Sequence, residues 1–285
     1  MIKKIVIISL SCVALAVGGM VWLFVAFYMS MERGEEHRRH MEEERRSGRD
    51  AFGEEPALFA VAQAIVKNDQ DAIRAAAKAV PNLQAPGRDG TTLLSFAVRE
   101  TWQRPELVEA ARTLLSLGAD PNNTNDSRWS FALADAVHGP AGLLRIMLEA
   151  GGDPNARDEH GRPIVLTIWD LIYYKRDERA RLDLLLDHGA DINSMMPKDS
   201  WNCAGLTLLL CRTSSGLDDS HGYGDALDLL ERGADPHLAA GNGTTFAKML
   251  MEHRQQFTAG KRTPPPEFEA LWEWAQTHGI LRQPE

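Results

Sequence analysis

Residues that could bind a metal ion or support acid–base catalysis are concentrated in one short segment of this 285-residue chain. Asp218, Asp219, His221 and Asp225 lie within eight positions of a glycine-rich stretch. Carboxylate and imidazole groups are ligands for divalent cations, so the cluster is a candidate cation site. A solvated loop is the expectation for so polar a segment, and we predict no bound metal.

The rest of the sequence offers no set of residues for nucleophilic, phosphate or disulfide chemistry. No Gly-x-Ser-x-Gly elbow occurs, and the glycines around Tyr223 are not followed by the Lys and Ser or Thr of a phosphate-binding loop. Cys203 and Cys211 flank a predicted helix that would hold them about 12 Å apart, too far for a disulfide. We therefore predict no enzymatic activity and no cofactor.

A repeated phrase organises most of the chain. Four near-copies of Gly-Ala-Asp-Pro-Asn, each differing from it at no more than one position, begin at Gly118, Gly151, Gly189 and Gly233, at intervals of 33, 38 and 44 residues. Each copy follows a leucine-rich run, which predicts a helix that ends at a left-handed glycine. The Asp-Pro-Asn that follows predicts a turn, because Asp and Asn bond to nearby backbone and Pro fixes φ.

A second signal precedes the next helix of the unit. Thr92, Thr207 and Thr245 stand shortly after a glycine, where a threonine can cap a helix amino terminus. The predicted unit is thus helix, turn, helix, glycine cap and hairpin. One unit cannot bury its apolar face alone, so the units are expected to stack.

The phrase and its period of about 33 residues resemble the ankyrin repeat. The resemblance implies an all-α solenoid of about five to six helix-turn-helix repeats over residues 54–281. Thr92-Leu93-Leu94-Ser95 departs from the family's Thr-Pro-Leu-His helix opening. The predicted repeats are 54–87, 88–120, 121–153, 154–191, 192–235 and 236–281, and an apolar stripe that includes Phe268 and Trp272 is expected to close the last one.

The amino terminus predicts a membrane anchor over residues 1–30. The 25 residues from Ile5 to Met29 carry no charge and would span about 37 Å as a helix, enough to cross a hydrocarbon core of about 30 Å. Orientation has two interpretations. Arginines after the anchor outnumber Lys3 and Lys4 before it, which favours a cytoplasmic carboxyl side. The Met-Ile-Lys-Lys opening resembles bacterial export signals, and we expect the repeat domain in the periplasm, held at the inner membrane.

Charge separates the amino-terminal region from the repeats. Residues 31–53 form a charged linker in which Glu and Arg at helical spacing predict a solvated helix. The first 50 residues carry a net charge of +1 and the remainder −10. So acidic a domain is a poor candidate for binding nucleic acid, and a basic protein partner would be attracted to it.

The resemblance also places candidate contact residues, because ankyrin proteins bind partners through hairpin tips and the first helix of each repeat. Trp, Tyr and Arg commonly dominate interface energy. The tip residues nominated are Asn125, Arg128, Trp129, Arg157, His160, Met195, Met196 and Trp201, and the first-helix residues are Arg99, Trp102, Asp135 and Tyr173. For Trp129 and Trp201, partner contact and packing between repeats remain equal alternatives.

These features together predict a membrane-anchored, protein-binding ankyrin module without catalysis. The bacterial-looking anchor and the acidic repeats favour an immunity or inhibitor protein that neutralises an envelope-targeting toxin. The alternative is a scaffold or stress-related adaptor that organises an inner-membrane complex. The sequence leaves the partner's identity and the oligomeric state open.

Overall fold

The computed structural model describes residues 43–123, 131–168, 178–199, 205–217 and 221–281. The predicted anchor, 1–30, lies outside these residues, as does the linker up to residue 42. In the part that is described, no helix is both long and apolar enough to cross a bilayer.

The described residues form helices joined by turns and hairpins. The α-helices are α1 (Arg49–Phe52), α2 (Pro56–Val66), α3 (Gln70–Ala77), α4 (Leu93–Glu100), α5 (Val108–Ser116), α6 (Ala132–Val137), α7 (Ala141–Glu149), α8 (Ile164–Thr167), α9 (Glu178–Asp187), α10 (Leu208–Ser215), α11 (His221–Glu231), α12 (Phe246–Ala259) and α13 (Pro266–Thr277). Short 3-10 helices lie at Arg88–Gly90 and Pro105–Leu107. Residues 43–46 are also helical.

From α2 onward the helices form pairs that stack into two rows. The first helix of each pair packs on the first helix of a neighbouring pair, as α2 does on α4 and α4 on α6. The second helices do the same, as α3 does on α5 and α5 on α7. We call these the first-helix row and the second-helix row. This arrangement confirms the predicted all-α solenoid.

The local signals in the sequence form the expected caps. The glycines that open the four phrases have φ between 91° and 95°, the left-handed conformation that ends a helix. Thr92, Thr207 and Thr245 each accept a hydrogen bond from the backbone N–H three residues on. Each repeat is therefore delimited by its own residues, before any packing between repeats is considered.

The apolar core is continuous along the stack. It contains fully buried leucines from successive repeats, including Leu93, Leu114, Leu133 and Leu185. Because every repeat shares its apolar surface with its neighbours, the two ends of the stack need separate covers.

The carboxyl end is covered by an aromatic cluster, as the apolar stripe predicted. Phe268 of α13 is fully buried and lies edge-on to Tyr223 and Phe257, with ring centroids 5.0 and 5.1 Å apart. The Arg254 guanidinium lies 4.4 Å from the Trp272 ring centroid. Cation–π contact and ring packing both stabilise this end.

The amino end differs from the prediction. Residues 43–53 were expected to be part of a solvated linker, but they pack against the first two repeats. Phe52 at their end is fully buried in the common core. The charged residues of this stretch led to the prediction of a solvated helix. Phe52 nevertheless packs in the core, and its burial removes a large apolar surface from water.

Candidate protein-binding surface

The hairpin bases of successive repeats are joined by side-chain amides. Each amide donates to a glycine carbonyl of the next phrase, accepts from the N–H of its aspartate, or does both, with donor–acceptor distances of 2.7–3.0 Å. The bridging residues are Gln84, which bonds Gly118 and Asp120; Asn122, which bonds Gly151 and Asp153; Asn155, which bonds Gly189 and Asp191; and Asn193, which bonds Asp235. We call this series the asparagine ladder.

The aspartate of each phrase organises its own turn. Its Oδ1 accepts the backbone N–H two residues on, at 2.8–2.9 Å, in all four copies. The aspartate side chain therefore stabilises its own turn, and the asparagine side chain bonds the corresponding turn of the next repeat. The ladder holds the hairpin bases side by side, so these bases form one ordered edge.

The tip of repeat four shows how these hairpins are built. The buried Asp158 accepts backbone hydrogen bonds from His160 and Arg162, each at 2.9 Å, and its Oδ2 lies 2.6 Å from Arg162 Nε. Arg157 donates to the Gly161 carbonyl at 2.8 Å. The turn is closed internally, and the predicted contact residues Arg157 and His160 are both exposed on it.

The tip of repeat five separates its two predicted methionines. Met195 pairs with Thr207 in an isolated antiparallel bridge and is partly exposed. Met196 is 4% exposed and belongs to the core. The prediction of Met196 as a contact residue is therefore wrong, because alternation along the extended hairpin turns consecutive side chains to opposite sides.

A second group of predicted residues lies at the carboxyl ends of the first helices, away from the hairpin tips. Arg99 stands in the last turn of α4, and Trp102 follows it in the turn between helices rather than on the helix. Trp102 is 51% exposed. Both residues line a cavity of about 350 Å³. The hairpin tips precede the amino ends of the first helices, whereas Arg99 and Trp102 lie at a carboxyl end. The predicted contact residues therefore fall into two groups at opposite ends of the first helices.

Arg99 is held in place by neighbouring polar groups. Its Nη2 donates to Thr91 Oγ1 at 2.9 Å, and its Nε lies 4.0 Å from Asp135 Oδ2 on α6. Asp135 is only 6% exposed, which makes it a support for Arg99 rather than a direct contact. This corrects the prediction of Asp135 as a contact residue: the α6 face that carries it is packed within the first-helix row.

The cavity contains one perturbed carboxyl group. Burial raises the pKa of Glu100 above its ordinary value, against the opposing effect of nearby arginines that include Arg45 and Arg104. Glu100 and Arg45 both line the cavity. The site therefore mixes both charges with aromatic surface, a composition suited to a protein ligand.

Several predicted contact residues lie outside the described part of the chain. They are Asn125, Arg128, Trp129, Tyr173 and Trp201. Their assignment as contact residues stays a prediction.

The candidate cation cluster is resolved into ion pairs where it is described. Asp225 pairs with Arg212, and Arg179 Nη2 lies 2.5 Å from Asp228 Oδ1. Arg232 Nη1 lies 2.7 Å from Asp183 Oδ1, which links the second helices of repeats four and five. Asp218 and Asp219 lie outside the described residues. Among those described, no group of three or more metal-ligating side chains is found.

One sequence prediction about cysteine is wrong. Cys211 is disulfide-bonded. The predicted separation of about 12 Å assumed that every residue between Cys203 and Cys211 is helical, although Thr207 was placed as the cap. The helix begins at Leu208, and Thr207 is part of the hairpin that precedes it, so the helical spacing does not apply.

Comparison with known proteins agrees with the fold. No profile of a known protein family matches the chain. A putative ankyrin repeat-containing protein of Treponema pallidum (strain Nichols) is 36% identical over 104 residues, which cover 36% of this chain and 31% of that protein. The matched segment thus spans about a third of the length of this curated relative.

Two solved structures extend the similarity over most of the chain. An ankyrin repeat domain from Acinetobacter baumannii superposes with a TM-score of 0.57 at 22% identity, covering 76% of this chain and 97% of that domain. A second ankyrin-repeat protein gives 0.55 at 20% identity with the same coverage. Stacked helix pairs, glycine caps and ladder define an ankyrin solenoid. The chain therefore has the ankyrin-repeat fold, and over 104 residues its sequence is similar to that of an ankyrin repeat-containing protein.

Sequence reasoning missed the residues of the amino-terminal cover. Phe52, Gly48 and Gln103 follow no repeat, so periodicity could not identify them. One signal was available: Phe52 is the single aromatic residue between Tyr28 and Phe59.

Proposed function

We propose that this protein is a non-catalytic binding module, anchored in the inner membrane by residues 1–30, that binds and neutralises an envelope-targeting protein toxin. The observation that carries the binding role is the face formed by the first-helix row and its hairpins. On it, Trp102 is half exposed beside Arg99 and a cavity of about 350 Å³. An exposed aromatic and an arginine at a cavity are typical of the residues that dominate protein interfaces.

Charge supports a partner of the opposite sign. The chain after residue 50 has a net charge of −10. Such a field increases the association rate of a basic protein and disfavours nucleic acid. A rigid stack with many exposed hairpin residues also binds with little loss of its own conformational freedom.

The disulfide at Cys211 supports a repeat domain outside the cytoplasm, because disulfides persist mainly in oxidising compartments. The other two cysteines are Cys12, in the predicted anchor, and Cys203, eight positions before Cys211. Both of these cysteines lie outside the described residues.

The localisation is tested by trapping thiols in intact cells with a membrane-permeant alkylating reagent, followed by mass spectrometry. We expect Cys211 to remain unmodified unless the protein is first reduced. Cys211 should become alkylated in one of the variants Cys203→Ser and Cys12→Ser and stay protected in the other, which identifies its partner. Alkylation of Cys211 in the unreduced wild type would place the domain in a reducing compartment and remove the periplasmic proposal.

The neutralising role is tested by deleting the gene and measuring survival in the presence of a toxin encoded beside it. We expect sensitivity, restored by the wild type and by Leu117→Ala, whose side chain is 37% exposed at the end of the second helix of repeat two. Trp102→Ala should fail to restore protection at equal abundance. Unchanged survival after deletion, together with recovery of a stable membrane complex, would favour the adaptor function instead.

A further inference from the structure

The amino-terminal segment of residues 43–53 lies on the face where a partner is expected. Phe52 is fully buried, and its ring lies edge-on to Phe96 of α4, with centroids 5.7 Å apart and planes at 85°. Phe96 belongs to the first helix of repeat two, so the segment extends from the amino end of the stack over the first-helix row.

The backbone of this segment approaches the first repeat closely at a glycine. Gly48 has φ 74°, and a Cβ there would lie 2.8 Å from the Ala62 Cβ and 3.2 Å from Phe96 Cζ. Gln63 Nε2 donates to the Ser47 carbonyl at 2.6 Å. Only glycine adopts this positive φ readily and also leaves room for the Ala62 side chain, which is held in place on α2.

The segment also makes polar contacts that are solvent-exposed. Arg46 Nη2 donates to Gln103 Oε1 at 2.9 Å, and Arg88 lies 3.9 Å from Asp50. Exposed pairs of this kind contribute little stability. The buried contacts of the segment therefore centre on Phe52 and Gly48, with Ala51 packed beside them and the Arg49 guanidinium 5.6 Å from the Phe59 ring centroid.

The segment also leaves part of the surface unfilled. The cavity of about 350 Å³ lies between Arg45 and Asp50 of the segment and Phe96, Arg99 and Trp102 of repeat two. The same residues that hold the segment thus border space that a longer or larger ligand would enter.

We propose that residues 43–53 are a built-in, displaceable occupant of the partner-binding surface of repeats one and two. This surface takes a short helix that presents a single phenylalanine, and a partner segment of that chemistry replaces the chain's own. The inference deepens the proposed function and rests on the first-helix row being the binding face. Its test requires no toxin, so the two can fail separately.

The covalent connection makes the occupant effective despite its few contacts. The segment joins directly to Glu54 and the first repeat, and a ligand tethered so closely acts at an effective concentration on the order of 1 mM. A free peptide at micromolar concentration then finds the surface closed. The apparent affinity of the peptide equals its intrinsic affinity multiplied by the fraction of protein molecules in which the segment is undocked.

The experiment uses the full chain in detergent micelles and a fluorescein-labelled peptide of residues 43–55 as the probe. Gly48→Val should eject the chain's own segment, and fluorescence anisotropy should then show binding of the peptide about tenfold or more tighter than to the wild type. The matched control is Gly118→Val, which strains a glycine of φ 93° with no atom within 4 Å of the new Cβ. It should bind the peptide no better than the wild type does.

A peptide carrying Phe52→Ala should bind none of the three proteins. Trypsin should cleave after Arg45, Arg46 and Arg49 faster in Gly48→Val than in the wild type. If Gly48→Val does not fold, as judged by circular dichroism, Phe52→Ala in the full chain replaces it and should likewise capture the unaltered peptide. A folded variant that binds the peptide no tighter than the wild type overturns the proposal and leaves the segment as a permanent cover.

Discussion

The two ends of the repeat domain are covered in different ways. At the carboxyl end, α13 packs on α11 and contributes Phe268 to a cluster of aromatic rings. At the amino end, residues 43–53 cross onto the first-helix row and bury one ring, Phe52. The carboxyl cover continues the helical stack, whereas the amino cover lies on its face.

This difference separates a permanent cover from a removable one. Undocking α13 would expose several rings and break the bidentate contact between Arg254 and Glu269, at 2.6 and 3.0 Å. Undocking residues 43–53 would expose Phe52 and the part of Phe96 that it covers. Local opening follows the fewest buried contacts, so it is expected at the amino end first.

The largest expected effect is at the carboxyl end. Phe268→Ala should lower the free energy of unfolding by about 3–5 kcal/mol, because a fully buried ring leaves a cavity in a packed cluster. Phe52→Ala should cost clearly less, since the segment can undock instead of retaining a cavity. Denaturant melts of both variants measure the difference, and equal losses would contradict the distinction between the two covers.

The next largest effect concerns the asparagine ladder, which joins the repeats between the two covers. Asn155→Ala removes bonds of 3.0 Å to the Gly189 carbonyl and 2.7 Å from the Asp191 N–H, and should cost about 1–2 kcal/mol. The matched control is Asn242→Ala, whose side chain bonds Thr244 within its own hairpin. Hydrogen exchange should show weaker coupling between repeats four and five only in the first variant. Similar losses of unfolding free energy in both variants would show that the ladder stabilises only local turns and does not couple the repeats.

A smaller effect is expected on acidification and should originate at the carboxyl end. Burial lowers the pKa of His253 below 6.5, with Glu252 opposing, and Tyr223 Oη lies 3.1 Å from its Nδ1. A lowered folded-state pKa gives stability that is complete above about pH 6.5 and is lost as the pH falls toward the folded value. The melting temperature should therefore fall more between about pH 7.5 and pH 5.5 in the wild type than in His253→Gln.

A slope unchanged by His253→Gln would assign the acid sensitivity to carboxylates elsewhere in the chain.

The smallest effect is at the rim of the amino cover. Arg88→Ala removes ion pairs to Asp50 and Glu54 in which the Arg88 side chain is 55% exposed, so the global free energy should change by less than about 1 kcal/mol. Amide exchange of residues 43–53 should nevertheless accelerate, and high salt should have the same effect on the wild type. An effect confined to repeats three to five would show that the rim contacts do not hold the cover.

The sequence was sufficient for features that recur. Gly118 and its three counterparts, the threonine caps and the leucine runs follow from backbone sterics and hydrogen bonding, which act within a few residues. They identified the solenoid before any contact was known. The exposed position of Arg157 and His160 followed as well, since both stand in a short polar turn between helices.

Features that occur once were not predictable in this way. Phe52 packs on Phe96 across 44 positions, and Arg99 approaches Asp135 across 36, with no local pattern that links the partners. Met196 was misassigned because the side-chain alternation of a hairpin depends on where its bridge begins, at Met195. The disulfide of Cys211 was missed because the spacing estimate treated the residues before Leu208, where α10 begins, as helical. Each error concerns a long-range pairing or a single-residue register.

The asparagine ladder has a consequence for how this protein can tolerate new sequence. Intervals between the phrases vary from 33 to 44 residues, yet the bridging distances stay within 2.7–3.0 Å. Each amide precedes the hairpin tip of its repeat, so additional residues in a tip leave the spacing of the stack unaltered. The loop between Asn193 and Gly205 is therefore a natural place to graft foreign peptides, and libraries displayed there would vary binding specificity on a constant frame.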